Sequence, residues 1–273
     1  MPKGLNSVIV GKFTGKLSIV SVIGGTIEIT TRLPFERFWK WLNLTMLRHA
    51  DAVTTTGTLV ENYLIENGIK KEKQFIYPGC IDENKFKIDP KIKRDIDILF
   101  VGTLRKLKGP DRILKVILNL LNEGMQIKAS FLGSGYMLNE LKQIIEENNL
   151  NNSVTIHGHV DNPVEYFQRA KVLLMPSTSE GLPMAMLEAM ACGCVPVVSN
   201  VGNITDAARN GENALVIDHW NDIPSFTSAA KKIINDDNFR KKLSDAGRQA
   251  IENKYTPEKQ AVIIREMFKY LNL

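Results

Sequence analysis

The sequence predicts an α/β fold built on a parallel sheet, and two observations support this. From residue 96 onward, short apolar runs alternate with segments of helical periodicity. Runs such as Asp97–Val101 and Val172–Met175 are almost continuously apolar, which is typical of strands covered by helices on both faces. Because crossovers between parallel strands are right-handed, the sequence predicts a doubly wound, Rossmann-like domain in this part of the chain.

The elements of this domain follow one another in a βαβ order. The predicted strands are Asp97–Val101, Ile127–Leu132, Val154–Ile156, Val172–Met175, Val195–Val198 and Ala214–Ile217. The predicted helices are Pro110–Asn122, Tyr136–Asn148, Pro163–Ala170, Pro183–Ala191, Ile204–Arg209, Ile223–Asn235, Phe239–Asn253 and Pro257–Leu271. Residues 96–255 are therefore predicted to form one Rossmann-like domain, and residues 256–273 a C-terminal helix that packs back toward the N-terminal part.

Residues 1–78 are predicted to form a second, smaller α/β domain. Its predicted strands are Leu17–Ile23, Ala52–Thr55 and Gln74–Tyr77, and its predicted helices are Phe35–Arg48 and Leu59–Asn67. The Gly that follows the second helix is a typical stop signal. Pro78-Gly79 breaks the pattern, and the polar residues after it predict an interdomain connection over residues 79–95.

The predicted helix Phe35–Arg48 has two interpretations. Its aromatic and aliphatic stripe is flanked by Arg and Lys, a combination found in helices that lie on membranes. The same stripe is also that of an ordinary helix facing a protein core, which is the interpretation we prefer from sequence. The stripe consists of Phe35, Phe38, Trp39, Leu42 and Met46.

Composition describes a globular protein with a mild basic excess, 44% hydrophobic and 24% charged, with a formal net charge of +5. Residues 1–78 hold ten Lys and Arg against six Asp and Glu, whereas the rest hold 25 against 24. A basic N-terminal part suits an anionic partner such as a membrane surface, or is simply a solvated face. Three Cys, no apolar run of 18 residues and no signal peptide after Met1 predict a cytoplasmic protein, or one peripheral on the inner membrane face.

Loops at the carboxyl ends of parallel strands are where ligands bind in such folds. The first, Gly102–Gly109, carries three cations between two glycines, and Lys108 lies just before a predicted helix. A Lys and the free N–H groups of a helix start suit a phosphate, although a solvated basic turn has the same composition.

Two further loops carry weaker signals. Gly133-Ser134-Gly135 lacks the third glycine of the dinucleotide fingerprint, and no acid follows at the expected distance, which argues against NAD. His157 and His159 alternate along a strand end and point to opposite sides, so a metal site there is disfavoured and backbone contacts to a base are preferred.

The most informative segment is Pro176–Met190, in which a strand-to-helix loop carries one acid and the helix another. Glu180 lies in the loop, and Glu188 lies in an apolar helical run where an acid needs a reason. The N–H groups of Leu182–Met184 are expected to be unpaired donors that suit an anion. Carboxylates can accept hydrogen bonds from sugar hydroxyls, which favours a sugar site. The structural alternative is that Glu180 is an acid at a helix start and Glu188 a surface residue.

These motifs together closely resemble glycosyltransferase family 4, which are retaining enzymes of the GT-B fold with two Rossmann-like domains facing each other across a cleft. The likeness covers about residues 50–272 well and residues 5–50 weakly. It consists of Glu180 and Glu188 separated by seven residues, Pro176-Ser177, Glu188–Gly193, Val195–Val198, Val101-Gly102 with Lys108-Gly109, Gly133-Ser134-Gly135 and Gly211–Val216.

The resemblance implies a retaining glycosyltransferase that moves a sugar from a nucleotide-sugar, with a UDP-sugar favoured, to a glycan or lipid-linked acceptor of a cell-surface polysaccharide or glycolipid. It implies catalytic roles for Lys108, which neutralises the diphosphate, and Glu180, which binds the donor sugar, while Glu188 binds the ribose. No metal and no cofactor are expected. The donor-binding set is Gly102, Thr103, Arg105, Lys108, Gly133, Gly135, His159, Val160, Glu180, Gly181, Leu182, Pro183, Met184 and Glu188.

The sequence departs from this family in three places. Thr103 stands where an Arg is usual, Gly202–Asp206 replaces a Gly-Gly-Ile-Pro-Glu type of segment, and the first domain is short and has no His near Ile23. We therefore expect a complete donor-binding domain beside a truncated acceptor-side domain. A non-catalytic nucleotide-sugar-binding subunit or fragment, completed by a partner chain, stays as the alternative function.

Overall fold

Two parallel sheets organise the protein, whose computed structural model describes residues 5–23 and 35–273. The smaller sheet has the order β1-β2-β3 and the larger one the order β6-β5-β4-β7-β8-β9, with parallel pairing throughout. The strands are β1 (Ile19–Val22), β2 (Ala52–Thr55), β3 (Gln74–Ile76), β4 (Ile96–Val101), β5 (Ala129–Leu132), β6 (Val154–Gly158), β7 (Ala170–Met175), β8 (Val195–Ser199) and β9 (Leu215–Ile217).

Helices cover both faces of the larger sheet, as the apolar strands require. One hydrophobic cluster lies under α4, α5 and α8, and a second lies under α6, α7 and part of α9. The helices are α1 (Leu5–Thr14), α2 (Glu36–His49), α3 (Thr58–Glu66), α4 (Pro110–Asn122), α5 (Leu138–Glu147), α6 (Val164–Arg169), α7 (Met184–Ala191), α8 (Ile223–Asn235), α9 (Asp237–Lys254) and α10 (Pro257–Tyr270). None of these helices is long and apolar enough to cross a bilayer.

Most predicted elements are present, with ends shifted by one or two residues, but there are two differences. Helix α1 lies where no element is predicted from sequence. The predicted helix Ile204–Arg209 is a short 3₁₀ turn, Ile204–Asp206. The side chain of Asn213 explains the early end, because it accepts from the Arg209 N–H at 2.7 Å and donates to the Ala207 carbonyl at 3.0 Å. These backbone groups are thereby satisfied outside a helix.

Helix α2 faces the core with only its second half. Leu44, Met46 and Leu47 are buried, whereas Phe35 and Phe38 are 81% and 52% exposed. The expectation that the whole aromatic stripe faces a core is therefore wrong for its first turn. The apolar cluster beneath the small sheet reaches only the second half of the helix.

Two segments tie the small sheet to the rest of the protein. Ile81 and Phe86, from the stretch that follows β3, are buried in the core of the larger sheet. Helix α10 returns to the small sheet, where Met267 packs against Ala52 and Tyr270 contacts Phe75 with ring centroids 5.7 Å apart. The domain boundaries remain the prediction made from sequence.

Candidate functional site

The loops that follow β4, β5 and β7 meet at the carboxyl end of the larger sheet. The Leu104 N–H donates to the Ser134 carbonyl at 2.9 Å, and the Thr178 N–H donates to the Leu107 carbonyl at 2.9 Å. The Gly133 N–H donates to the Gly158 carbonyl at 2.6 Å. Backbone hydrogen bonds thus join three loops that are far apart in sequence into one platform, where ligands bind in folds of this class.

The two glycines of the β5 loop are needed for this close packing. Gly133 has φ of +138°, and a Cβ on it would collide with the Gly102 carbonyl oxygen. A Cβ on Gly135 would lie 2.8 Å from the carbonyl carbon of Leu104. Close contact between the loops therefore explains why both positions are glycine. Their predicted contact with a donor stays a prediction.

Arg112, which sequence reasoning did not single out, fixes the β4 and β7 loops to each other. Its guanidinium donates to the Pro176 carbonyl at 2.8 Å and the Lys106 carbonyl at 3.0 Å, and lies 4.7 Å from the centre of the Trp220 ring. The side chain is only 3% exposed, and this burial lowers its pKa. No pattern in the sequence marks Arg112, because its hydrogen-bond partners are backbone carbonyls.

Lys108 and Glu180 form an ion pair at the centre of the platform. The Lys108 Nζ donates to both carboxylate oxygens of Glu180, at 2.8 and 2.6 Å. The Glu180 side chain is 5% exposed and that of Lys108 is 28% exposed, so the pair is screened by solvent from one side only. The two residues predicted to be catalytic are thus in direct contact, although they are 72 positions apart.

Glu188 lies one helix turn inside α7 and is partly buried. Burial raises the pKa of its carboxyl group, and the charge of Lys85 opposes the shift. A carboxylate kept partly out of water can accept hydrogen bonds from hydroxyl groups.

The start of α7 has unpaired donors, as the sequence predicts. Pro183 precedes the helix, and no side chain of its cap residue accepts from the first turn. Met186 is the first residue of this helix whose N–H is bonded, and it donates to the Pro183 carbonyl at 3.1 Å. Leu182 is buried, while Met184 is 38% exposed and lies against Gly79. The N–H groups at this helix start carry the positive end of its dipole.

The other predicted site residues are more exposed. Thr103 and Arg105 are exposed, and the Arg105 N–H donates to the Thr103 carbonyl at 2.8 Å. His159 pairs with Asp161 at 3.2 Å on the surface, whereas Val160 packs on the core. His157 instead contacts Ser130 and Tyr166, and burial lowers its pKa. Across the described residues, no three His, Cys, Asp or Glu side chains are grouped so that they could hold a metal ion.

Residues 81–250 match the protein-family model described as glycosyl transferases group 1, which is more than half of the chain. The chain belongs to this family. The capsular polysaccharide biosynthesis glycosyltransferase CapM of Staphylococcus aureus is 25% identical to this glycosyltransferase family member over 197 residues, which are 70% of this chain and 50% of CapM.

A Campylobacter jejuni alpha-1,4-N-acetyl-D-galactosaminyltransferase that acts on an undecaprenol-linked substrate is 26% identical over 216 residues, 78% of this chain and 58% of that protein. The chain thus spans about half the length of these curated relatives.

Solved structures show the fold of this family member. HepE of Anabaena in complex with UDP superposes with a TM-score of 0.82 at 14% identity, covering 97% of this chain and 74% of HepE. The sucrose-phosphate synthase of Thermosynechococcus elongatus gives a TM-score of 0.81 at 19% identity, covering 97% of this chain and 71% of that one. The α/β, Rossmann-like GT-B fold predicted from the sequence is confirmed.

Proposed function

We propose that the protein is a retaining glycosyltransferase of family 4 that takes a sugar from a UDP-sugar and passes it to a glycan or lipid-linked acceptor in polysaccharide or glycolipid synthesis. The observation that carries the proposal is the Lys108–Glu180 pair beside the uncapped start of α7. The family membership, the UDP complex of HepE and the capsular role in the name of CapM support it.

In the proposed reaction the protein acts mainly by placing charge. The diphosphate lies between Lys108 and the N–H groups of Leu182 and Met184, so the negative charge that grows on the leaving UDP meets a cation and a helix start. Glu180 turns from Lys108 to a hydroxyl group of the sugar, and Glu188 accepts from the ribose. The sugar keeps its anomeric configuration. No metal or cofactor takes part, because Lys108 and the helix start supply the positive charge.

Binding of UDP tests the donor half of the proposal. A ligand that binds only the folded protein stabilises it, by about 2.7 kcal/mol when its concentration is 100 times Kd. We expect millimolar UDP to raise the melting temperature of the native protein, and Glu188→Ala to remove the rise. Glu146→Ala, which changes an exposed acid on α5, is the matched control. If UDP, GDP and ADP all leave the melting temperature unchanged, the proposal is wrong.

A second candidate function is a non-catalytic subunit that binds a nucleotide-sugar and pairs with another chain. Strand β1 lies at an edge of the small sheet, and its outer edge is unpaired within residues 5–23 and 35–273. Unpaired edges accept additional strands. Light scattering together with UDP release from UDP-glucose separates the candidates, since a monomer that turns over the donor excludes the subunit.

We further propose that α1 and α2 place the protein on the inner face of an anionic membrane. Their exposed apolar residues include Phe13, Phe38 and Trp41, at 88%, 52% and 57% exposure. Phe13 also borders an apolar cavity of about 340 Å³ between the two helices, together with Ile9 and Leu42. Residues 8–23 and 35–49 carry five Lys and Arg against one acid. On an anionic membrane, the apolar side chains can enter the acyl-chain region while the surrounding Lys and Arg contact the anionic headgroups.

Vesicle sedimentation tests this surface. We expect the protein to sediment with vesicles containing phosphatidylglycerol, less with neutral phosphatidylcholine vesicles and less at high salt. Phe13→Ser with Lys12→Glu should abolish sedimentation, while Phe268→Ser, an exposed aromatic on α10, should not. Equal sedimentation of all three proteins with the phosphatidylglycerol vesicles, or equal sedimentation of the native protein with anionic and neutral vesicles, would contradict the proposal.

A further inference from the structure

We call the part of the protein built on the smaller sheet the small lobe, and the part built on the larger sheet the large lobe. The first turn of α3, in the small lobe, is capped by side chains from the large lobe. The Thr58 N–H donates to the Asp206 carboxylate at 2.7 Å, and the Thr58 hydroxyl donates to the other oxygen of that carboxylate. The Leu59 N–H donates to the Asn203 side-chain carbonyl at 3.0 Å. An acid at a helix start is doubly favourable, since it satisfies free N–H groups and meets the positive end of the helix dipole.

The residues that form this cap also touch the loop that carries Glu180. The Asn203 N–H donates to the Gly181 carbonyl at 3.0 Å. Gly202 lies so close to the Glu180 carbonyl that a Cβ would collide with it. The turn that begins at Gly202 therefore contacts α3 on one side and the Glu180 loop on the other.

Both sides of this contact fit closely. Asn203 is 1% exposed and its amide donates to the Thr56 hydroxyl at 3.2 Å. A Cβ on Gly57 would lie 2.5 Å from the Asn203 Cβ, so a larger residue would separate the lobes. The Tyr255 hydroxyl donates to the Asp206 carbonyl at 3.1 Å and fixes the turn to α9.

We propose that Thr56–Leu59 and Gly202–Asp206 form a latch between the two lobes. Asn203 is a positioning residue in this latch: its bonds to both sides fix the small lobe relative to the Glu180 loop, and so keep that loop aligned with the donor sugar. Asp206 supplies most of the latch's strength, because its bonds are charge-assisted. Asn203 supplies the alignment, because it alone of the two is bonded both to α3 and to the Glu180 loop. The catalytic part of this inference rests on the proposed function.

Spin labels test the latch without any substrate. Labels at Glu72 and Lys241, two exposed positions in different lobes, are introduced in a Cys80→Ser background. We expect Asp206→Ala and Asn203→Ala to broaden the distance distribution between the labels, and Glu212→Gln, which removes a surface carboxylate of the same lobe, to leave it unchanged. An unchanged distribution in both latch variants would overturn the latch.

Kinetics test the positioning role. With UDP-glucose as probe, Asn203→Ala is expected to lower kcat at least tenfold. Kd for UDP is expected to change less than threefold, because all the residues proposed to bind the donor lie in the large lobe. Asp206→Glu, which keeps the carboxylate, is expected to retain more activity than Asp206→Ala. Unchanged kcat in Asn203→Ala would overturn the positioning role. If the native protein binds no UDP, the proposed function fails, while the spin-label result still decides the latch.

A structural effect of the variants is recognised by unfolding in urea. Thr58→Ala and Asp206→Ala are combined, because directly bonded residues give non-additive changes in the free energy of unfolding. We expect the loss of free energy of unfolding in the double variant to be smaller than the sum of the two single losses. Additive changes would overturn a direct contact between Thr58 and Asp206.

Discussion

At the scale of single residues, the partly buried carboxyl group of Glu188 makes stability depend on pH. Its pKa is raised in the folded protein, so between its unfolded and folded pKa the folded state holds the proton more tightly. Stability of the native protein therefore falls as the pH rises through this interval. We expect Glu188→Gln to remove this fall and to have a higher melting temperature than the native protein at neutral pH, measured in a pH series by calorimetry.

The same substitution is expected to weaken UDP binding. A hydrogen bond to a charged group contributes about 1.5–3 kcal/mol, so loss of the carboxylate should raise Kd for UDP roughly 10- to 100-fold. For the native protein, affinity should fall as the pH drops through the raised pKa of Glu188. Titration calorimetry at several pH values measures both effects. Equal affinity in the native protein and in Glu188→Gln would remove Glu188 from the ribose site.

The Lys108–Glu180 pair allows a second prediction at this scale. Lys108→Ala leaves a buried carboxylate without its cation, which should lower the free energy of unfolding by about 1–3 kcal/mol. Adding Glu180→Gln should restore part of the loss, because the uncompensated charge disappears. Urea unfolding of the two single variants and the double variant measures the coupling. A double variant whose loss equals the sum of the single losses would argue against the pair.

How far residues are predictable from sequence differs within this site. Glu180 and Lys108 are predictable because they lie in loops at the carboxyl ends of strands and within motifs that resemble those of a known family. The carboxyl ends of parallel strands bring distant positions together by rule. The roles of Arg112 and Asn203 are not predictable from sequence, because most of their partners are backbone carbonyls and N–H groups, which leave no pattern in the sequence. Only the packing of loops shows which polar side chains hold them.

At the scale of elements, loop contact explains why the β4 and β5 loops contain glycines. Gly133→Ala should push the β5 loop from the Gly102 carbonyl and destabilise the fold by about 2 kcal/mol or more. Gly124→Ala is the matched control, because Gly124 also has positive φ, at +81°, but has nothing within 4 Å of a Cβ. Its loss should be limited to the backbone term of about 1 kcal/mol.

Urea unfolding compares these two glycine variants. Equal destabilisation would mean that positive φ, and not contact between the loops, explains Gly133.

At the scale of elements, strands are well predicted from the sequence, because continuous apolar runs between turns have few alternative structures. Prediction from sequence failed for the turn after Gly202, where one Asn side chain ends the helix that periodicity alone predicts.

At the scale of the whole molecule, the two sheets differ in size and in how much core supports them. The small sheet has three strands and a small apolar cluster, whereas six strands and two large clusters form the other. Helix α10 closes the small sheet from the far end of the chain. A region with little buried apolar contact has a lower free energy of local opening than the free energy of unfolding of the whole protein. The small sheet should therefore open before the large one.

Met267 tests this order of opening, because it is 5% exposed and packs on Ala52 in the small sheet. Truncating a buried Met costs about 2–5 kcal/mol, since it removes apolar contact and leaves a cavity. We expect Met267→Ala to speed hydrogen exchange of the β2 amides at Val53–Thr55 and to leave those of β4 at Ile98–Phe100 unchanged. Phe268→Ala, an exposed neighbour, controls for loss of helix surface. Equal acceleration in both sheets would mean that the molecule opens as one cooperative unit, joined through the latch and α10.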